Sequence, residues 1–360
     1  MTITRPCYAS REAVQRALDF AETARTDEQV DRAIEAASDD VEGFLHRRFY
    51  PTLTTRYFDW PNGSYSRPWR LWLDANELIS ITTLTSGGVV LDPADYFLRR
   101  SDDLDEPPYT SVEINLATSA AYGGGPTTQR DIAIYGLYGH SANEAAVGTL
   151  VTGINTSAVG VDLSAAGTVG VGDLIRVDTE RMLVAGRAML DTGQNLAGDL
   201  EDSDAATLVA AANGTASSGE VILIDAERML VVDVAGDNLV VKRGWDGTVL
   251  AAHTSGADVY AARALTVQRG VCGTTAASHS LGAPVVRHVP PSLVRDLCVA
   301  EAIEQLLQET AGYARPTGAS TARSGDSDTR QNKNQLGLGI EAIRDRAYTA
   351  YGRQARTAAV

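Results

Sequence analysis

Cysteine is nearly absent from this chain. The three residues, Cys7, Cys272 and Cys298, are too few and too scattered for a disulfide framework or a thiolate zinc site, so reduced structural thiols are expected. Long apolar runs are missing too: no window reaches the roughly 18 apolar residues of a membrane span. The N-terminus MTITRPCYASREAV also lacks the apolar core of a signal sequence, so a soluble protein made in the cytoplasm, with no membrane partner, is expected. Basic side chains are scarce, 31 Lys and Arg against 46 Asp and Glu, for a formal charge of −15. That balance argues against a binder that works by neutralising phosphates, while an acidic lining along a DNA path, which repels rather than holds, remains compatible. What is present is apolar material, 44% of 360 residues, sufficient for cores in two or three compact units.

The best-patterned stretch runs from Asp27 to Pro51. Thr26 and Gln29 have capping-box spacing, and Asp27 and Glu28 suit the positive end of a helix dipole. Val30, Ile34, Ala37, Val41 and Phe44 or Leu45 recur on one face; Asp31, Arg32, Glu35, Asp39 and Glu42 recur on the other. The expected helix spans 27–49, with Pro51 barring continuation. A preceding helix over 10–25, capped by Ser10, would form an antiparallel hairpin with it. From 52 to 140, short aromatic and β-branched runs such as RYFDW, RLWLD and DIAIYGLYG alternate with PNG, SGG, DP and GGG, the pattern of an antiparallel β-subdomain.

Between 144 and 288 the composition shifts to Gly, Ala, Val, Thr and Asp, and the sequence repeats itself. VGDLIRVDTERMLV (171–184) matches SGEVILIDAERMLV (218–231), and LVVKRGWDGTVLAAHTSGADVY (239–260) matches LTVQRGVCGTTAASHSLGAPVV (265–286). The order A, A, B, B is what one β-unit inserted inside a sister unit produces; two independent hairpin pairs side by side are the alternative. At His288 the earlier composition returns. VPPSLVRDLCVAEAIEQLLQE reads as a helix over 292–311 with Leu293, Leu297, Ala300, Ile303 and Leu307 on one stripe. The expected packing core of the helices is Val30, Ile34, Val41 and Leu45 against Leu293, Leu297, Ile303 and Leu307.

The expected class is therefore α+β. A small helical bundle with an antiparallel β-subdomain (1–143 and 289–313) carries an inserted all-β domain of duplicated units (144–288) and an extended C-terminal segment (314–360). Residues 314–335 read as a polar linker. Beyond it, Ile340, Ile343, Ala347 and Tyr351 form a helical stripe beside Arg344, Arg346 and Arg353, and the tail is about +4 on a body near −19, a composition suited to docking on another protein or to joining the core.

Chemistry-bearing motifs are few. None of the five histidines, His46, His140, His253, His279 and His288, lies in a metal or nucleophile context, and no phosphate loop appears, so no catalysed reaction, cofactor or metal is expected. His253 and His279 occupy equivalent places in the repeated RGxxGTxxxxH, as packing or turn-bridging elements in preference to a paired metal site. Asp178 with Glu180, and Asp225 with Glu227, fall where hairpins must turn; a solvated turn is expected over a calcium site or acid pair, with Arg181 or Arg228 as an electrostatic clip. The basic aromatic run His46 to Tyr50 suits a helix C-terminus better than a nucleic-acid contact.

AIEAASDDVEGFLHRRFYP, RLWLD, DPADYFL, DEPPYTSVEI, DIAIYGLYG and VPPSLVRDLCVAEAIEQLLQE, in that order, resemble the head-to-tail adaptor (gp6-like head–tail connector) proteins of long-tailed double-stranded DNA bacteriophages, particularly of actinobacterial hosts. The likeness covers roughly the first 140 and last 70 residues; the block 144–288 departs from it. It implies a virion neck protein in a homo-oligomeric, commonly dodecameric ring, between the portal protein and a stopper, with double-stranded DNA passing through without sequence-specific binding. It also implies that the C-terminal segment docks on the portal, through Leu336, Leu338, Ile340, Ile343, Tyr348 and Tyr351 with Arg344 and Arg346 as charged partners. The charged face of the 27–49 helix would then meet neighbouring subunits or the channel. A tail-side neck or terminator ring, and a glycan-binding decoration working through the β-insertion, are the alternatives.

Overall fold

The computed structural model describes residues 3–18, 26–61, 67–100, 105–212, 214–310 and 327–353, and of 310 and 327–338 the backbone alone. The chain is mixed α+β with large open antiparallel sheets. It forms two compact units, one built on His46–Asn143, the other on Glu144–Val271 together with the helical segments before Leu45 and after Thr275. That grouping differs from the expected one, in which the helices share a body with the 52–140 subdomain; here they pack with the repeat block.

Among the described residues the smaller unit holds seven strands, β1 (Thr52–Phe58), β2 (Arg70–Trp72), β3 (Leu78–Ser86), β4 (Val89–Leu91), β5 (Tyr96–Arg99), β6 (Ser111–Ile114) and β7 (Ile132–Tyr138). They form two antiparallel sheets, ordered β1-β7-β3-β4 and β2-β6-β5. Alternation puts Ile132, Ile134 and Tyr138 of β7 inward, and these join Leu71, Leu73, Leu78, Val112 and Ile114 in one apolar core.

In the larger unit, helix α1 covers Arg11–Ala17, where Ser10 accepts a hydrogen bond from the Ala13 amide at 3.3 Å; the rest of the expected 10–25 helix, from 19 onward, lies outside the described residues. Helix α2 is Asp27–Leu45 and closes with His46 at φ +53, earlier than expected. Gln29 accepts from the Thr26 amide at 3.2 Å, one half of the capping box. Val30, Ile34, Ala37, Val41 and Leu45 are buried as expected, while Phe44 stays partly exposed.

Helix α3 is Ser292–Thr310, and its buried stripe lies one position round from the expected one. Val294, Leu297, Cys298, Ala302 and Leu306 face inward; Leu293 and Ile303 are only half-buried and Leu307 is exposed. The reason is size. Small side chains let α2 and α3 approach until Ser38 Oγ lies 3.4 Å from Cys298 Sγ, so Leu293 and Leu307 flank the seam while Leu297 and Leu306 fill it. Helix α4, Ser327–Tyr351, begins inside the segment read as a linker and packs on α3 and α2. Ser-Asp-Thr at its start is a good helix entry, which the polar composition of 314–335 masked. Among the described residues no helix is long and apolar enough to cross a membrane.

The repeat block contributes β8 (Glu144–Thr149), β9 (Gly160–Asp162), β10 (Leu174–Val177), β11 (Glu180–Asn195), β12 (Leu208–Ala210), β13 (Val221–Ile224), β14 (Glu227–Ala235), β15 (Asn238–Lys242), β16 (Asp258–Gln268) and β17 (Pro284–His288) in one ten-stranded sheet. Its pairings recur in register. Leu183 opposite Gln268 matches Leu230 opposite Lys242, and Ile175 opposite Arg287 matches Ile222 opposite Ala261. Even the bulge repeats, between Val184 and Gly186 and between Val231 and Asp233. β11, which begins in the first A segment, pairs with the part of β16 that belongs to the second B segment, so one unit sits inside the other. The long strands β11 and β16 serve both.

Why the helices join this block is visible in the N-terminal arm. Residues 3–11 lie along the charged face of α2. Thr4 donates to Glu35, Arg5 pairs with Asp39 and Glu42, the Tyr8 hydroxyl donates to Glu42 at 2.6 Å, and Arg11 grips Asp31 at 2.6 and 2.7 Å. The same arm bonds the sheet, with the Cys7 amide donating to Gly172 and the Arg11 amide to Val171, at 2.9 and 3.0 Å. Gly172, at φ +100, is approached by Cys7 and Ile34, a site where a side chain would be both strained and crowded. The α2 face expected to meet neighbours or a channel is thus largely occupied by the chain's own arm.

Candidate functional site

Two equivalent polar clasps stand out, one in each repeat unit. The hairpin β13–β14 turns through Asp225 at φ +50, which suits Asp, and delivers Glu227 to the start of β14 with no solvent exposure. Arg243, just beyond β15, binds it side-on, Nε to Oε1 and Nη2 to Oε2, both at 2.7 Å. The Gly244 and Ala251 amides donate to the same carboxylate at 2.9 and 3.0 Å. His253 completes the set, with Nε2 2.9 Å from Glu227 and Nδ1 2.7 Å from Asp225.

The outer unit repeats this arrangement. Glu180 is bound by Arg269 at 2.7 and 2.8 Å, by the Gly270 and Ala277 amides at 3.0 and 2.9 Å, and by His279 Nε2 at 2.9 Å, while Nδ1 lies 2.7 Å from Asp178. Each histidine also ladders its backbone to an upstream segment, His279 with Ile154 and His253 with Leu200.

Burial by itself pushes each glutamate upward, but in each clasp the arginine, the histidine and two amides outweigh it and hold the carboxyl down to about 2. The histidines are turn-bridging elements, as expected. The glutamates are not. The expected solvated turn is half right: Asp178 and Asp225 face water, whereas Glu180 and Glu227 are sealed, because a strand start one residue past the turn points inward. The clip on each glutamate comes from Arg269 and Arg243 of the RG dipeptides, while Arg228 pairs with Asp246. The signal was in the sequence, since that Arg recurs in both B segments, but a repeated Arg beside a Gly does not say which carboxylate it serves.

Two further buried acids occupy equivalent positions. Glu220 accepts from Arg263 at 2.8 Å twice and from the Ala166 and Ser217 amides. Its counterpart Asp173 accepts from the Gly170 amide at 2.8 Å with Arg287 more distant at 3.5 Å, and burial pushes its carboxyl up to about 6. Among the described residues no cluster of His, Cys, Asp and Glu is arranged to hold a metal.

The tail residues are divided. Ile340 is buried and Ile343 half-buried in the helix layer, Arg344 Nε donates to Glu301 at 2.9 Å, and Tyr348 stacks at a tilt on Phe44 with ring centres 5.4 Å apart. Arg346 is exposed and Tyr351 half-buried, while the side chains of Leu336 and Leu338 lie outside the described residues. Glu301 is 3% exposed, and burial raises its carboxyl despite Arg344. No protein-family model, curated protein or solved structure matches this chain.

Proposed function

We propose that this chain is a structural virion protein, a head-to-tail adaptor forming a homo-oligomeric ring between the portal and the stopper of a long-tailed DNA phage, with DNA passing unread through its centre. The ordered set of segments that resembles such adaptors supports this reading. The observation that carries the mechanical part is the fate of the recurring ionisable groups: Glu180, Glu227, Arg243, Arg269, His253 and His279 are consumed by one another in closed clasps. Groups spent in this way hold a shape and are not themselves open to a substrate as base, nucleophile or ligand. A sugar-binding role for the block is disfavoured, because its only tryptophan, Trp245, is buried with Lys242 over its ring.

The acidic balance suits a passage that DNA slides through. The tail segment α4 supplies the portal contact in this reading, through Arg346 and the parts of its stripe that α2 and α3 leave open. The test is a truncation lacking residues 315–360, mixed with portal and imaged by negative stain alongside the full chain. The full chain is expected to form rings that stack on portal and the truncation to lose stacking while its far-ultraviolet circular dichroism retains the strand signal. Unchanged stacking by the truncation, or binding of the full chain to tail tube in place of portal, overturns the assignment.

A further inference from the structure

We infer that the two clasps are proton locks: His253 and His279 are imidazolium cations with both ring protons engaged, closed while those protons are present and opened when alkali removes one. In each clasp both ring nitrogens face carboxylate oxygens, at 2.7 Å toward the aspartate and 2.9 Å toward the glutamate. An ionised carboxylate oxygen only accepts, so each of these contacts needs a proton on nitrogen, and a neutral imidazole carries one. A lone pair held 2.7 Å from a carboxylate oxygen would repel it.

Charge counting agrees. Arginine and imidazolium balance glutamate and aspartate in each clasp, with the ring only 1% exposed and the aspartate reaching water. The same geometry in two sequence-distinct copies makes a chance approach of one ring untenable.

The charged groups around each ring are few. His253 faces Asp225 and Glu227 from the β13–β14 hairpin, with Arg243 across Glu227; on its own loop side, Asp199 accepts from the Ser255 amide, and Glu201 contributes its carbonyl to Arg243. His279 faces Asp178 and Glu180 from the β10–β11 hairpin, with Arg269 across Glu180, and the 150–158 segment paired beside it carries no charged residue. The outer clasp also spans the insertion, fastening residues 178–180 to 269–279 and, through Arg269, to the carbonyls of Asn155 and Ala158. Losing the ring proton therefore loosens the tie between the β10–β11 turn and the 269–279 segment.

The test is nitrogen-15 NMR of the imidazole side chains in the full-length protein from pH 5 to 10, with Asp225→Asn as the variant. Asp225 lies at an exposed turn, so the substitution leaves the fold intact. Two rings are expected to show both nitrogens at imidazolium shifts at pH 7.5, where a free histidine is mostly neutral. Asp225→Asn is expected to lower the proton affinity of one of them by about tenfold or more and to leave the other unmoved. A neutral tautomer in both rings at pH 7.5, or no change on removing Asp225, overturns the proposal. A thermal midpoint of the wild type that falls across the pH range in which these two rings lose a proton is the expected second readout; a midpoint flat through that range refutes the lock even if the rings are cationic.

Discussion

Glu227 has no water to lean on, so its stability contribution depends wholly on the donors around it. Replacing it by Gln strands the Arg243 guanidinium, which is 2% exposed, and is expected to cost about 3–5 kcal/mol, read from urea unfolding. Because its folded value, about 2, lies below the roughly 4.3 of an unfolded glutamate, its contribution is complete above that value and fades only as pH falls toward 2. Asp173 behaves in the opposite sense. With its carboxyl raised to about 6 against roughly 3.9 unfolded, the fold holds its proton longer, so stability declines as pH rises from about 4 to 6. Asp173→Asn is expected to flatten that decline, by on the order of 3 kcal/mol; a variant with the wild-type pH slope would assign the slope elsewhere. At this scale the sequence was only partly legible. Equivalent histidines and carboxylates stood out because they recur, but which of Asp178 and Glu180 is sealed depends on where a strand begins, and one residue of register reverses the answer.

At the scale of elements, periodicity located α2 and α3 to within a few residues, because each carries a continuous apolar face. The α3 stripe was misjudged in part: Leu297 is buried as expected, but Cys298 and Ala302 take the close seam where Leu293, Ile303 and Leu307 were expected. The N-terminal arm was not legible at all, since a strap of nine residues held by ion pairs and main-chain bonds has no period. Its consequence is testable at Gly170, where an added Cβ would lie 2.0 Å from Glu12 Oε2 and 2.5 Å from Ser10 Cβ. Gly170→Ala is expected to lift the start of α1 from the sheet, costing about 1–3 kcal/mol, and to expose the arm to limited proteolysis. Helix α4 gives a second handle. Arg344→Ala leaves Glu301 buried and unpaired, so the loss in thermal midpoint should be larger at pH 8 than at pH 5, where the raised carboxyl of Glu301 can take up a proton instead.

For the whole molecule, nesting makes the repeat block divisible. Leu196, Leu200, Val209, Ile222, Ile224, Met229, Val231, Leu239, Val241 and Val259 form a core of their own, and every member of that cluster belongs to the inner unit. The inner unit leaves the outer one where a hairpin turn would otherwise be. Ala188 opposite Ala264 corresponds, through the shared bulge, to Ala235 opposite Asn238, which the inner unit closes with Gly236 and Asp237, and Gly236 has φ +62. Deleting 189–263 and joining Ala188 to Ala264 through Gly-Asp is therefore expected to yield a folded chain with the Glu180, Arg269 and His279 clasp intact, because none of its members lies in the deleted stretch. The deletion also removes Glu220 together with Arg263, so it strands neither partner of that buried pair. Arg187 loses its bonds to the Ala262 carbonyl but keeps Glu12 and the Ala166 carbonyl, which bounds the penalty at the junction. The measurement is thermal unfolding with imidazole NMR. A cooperative transition with one clasped ring in place of two is the expected outcome; a molten chain would mean that β11 and β16, the strands the two units share, cannot be shortened without losing both.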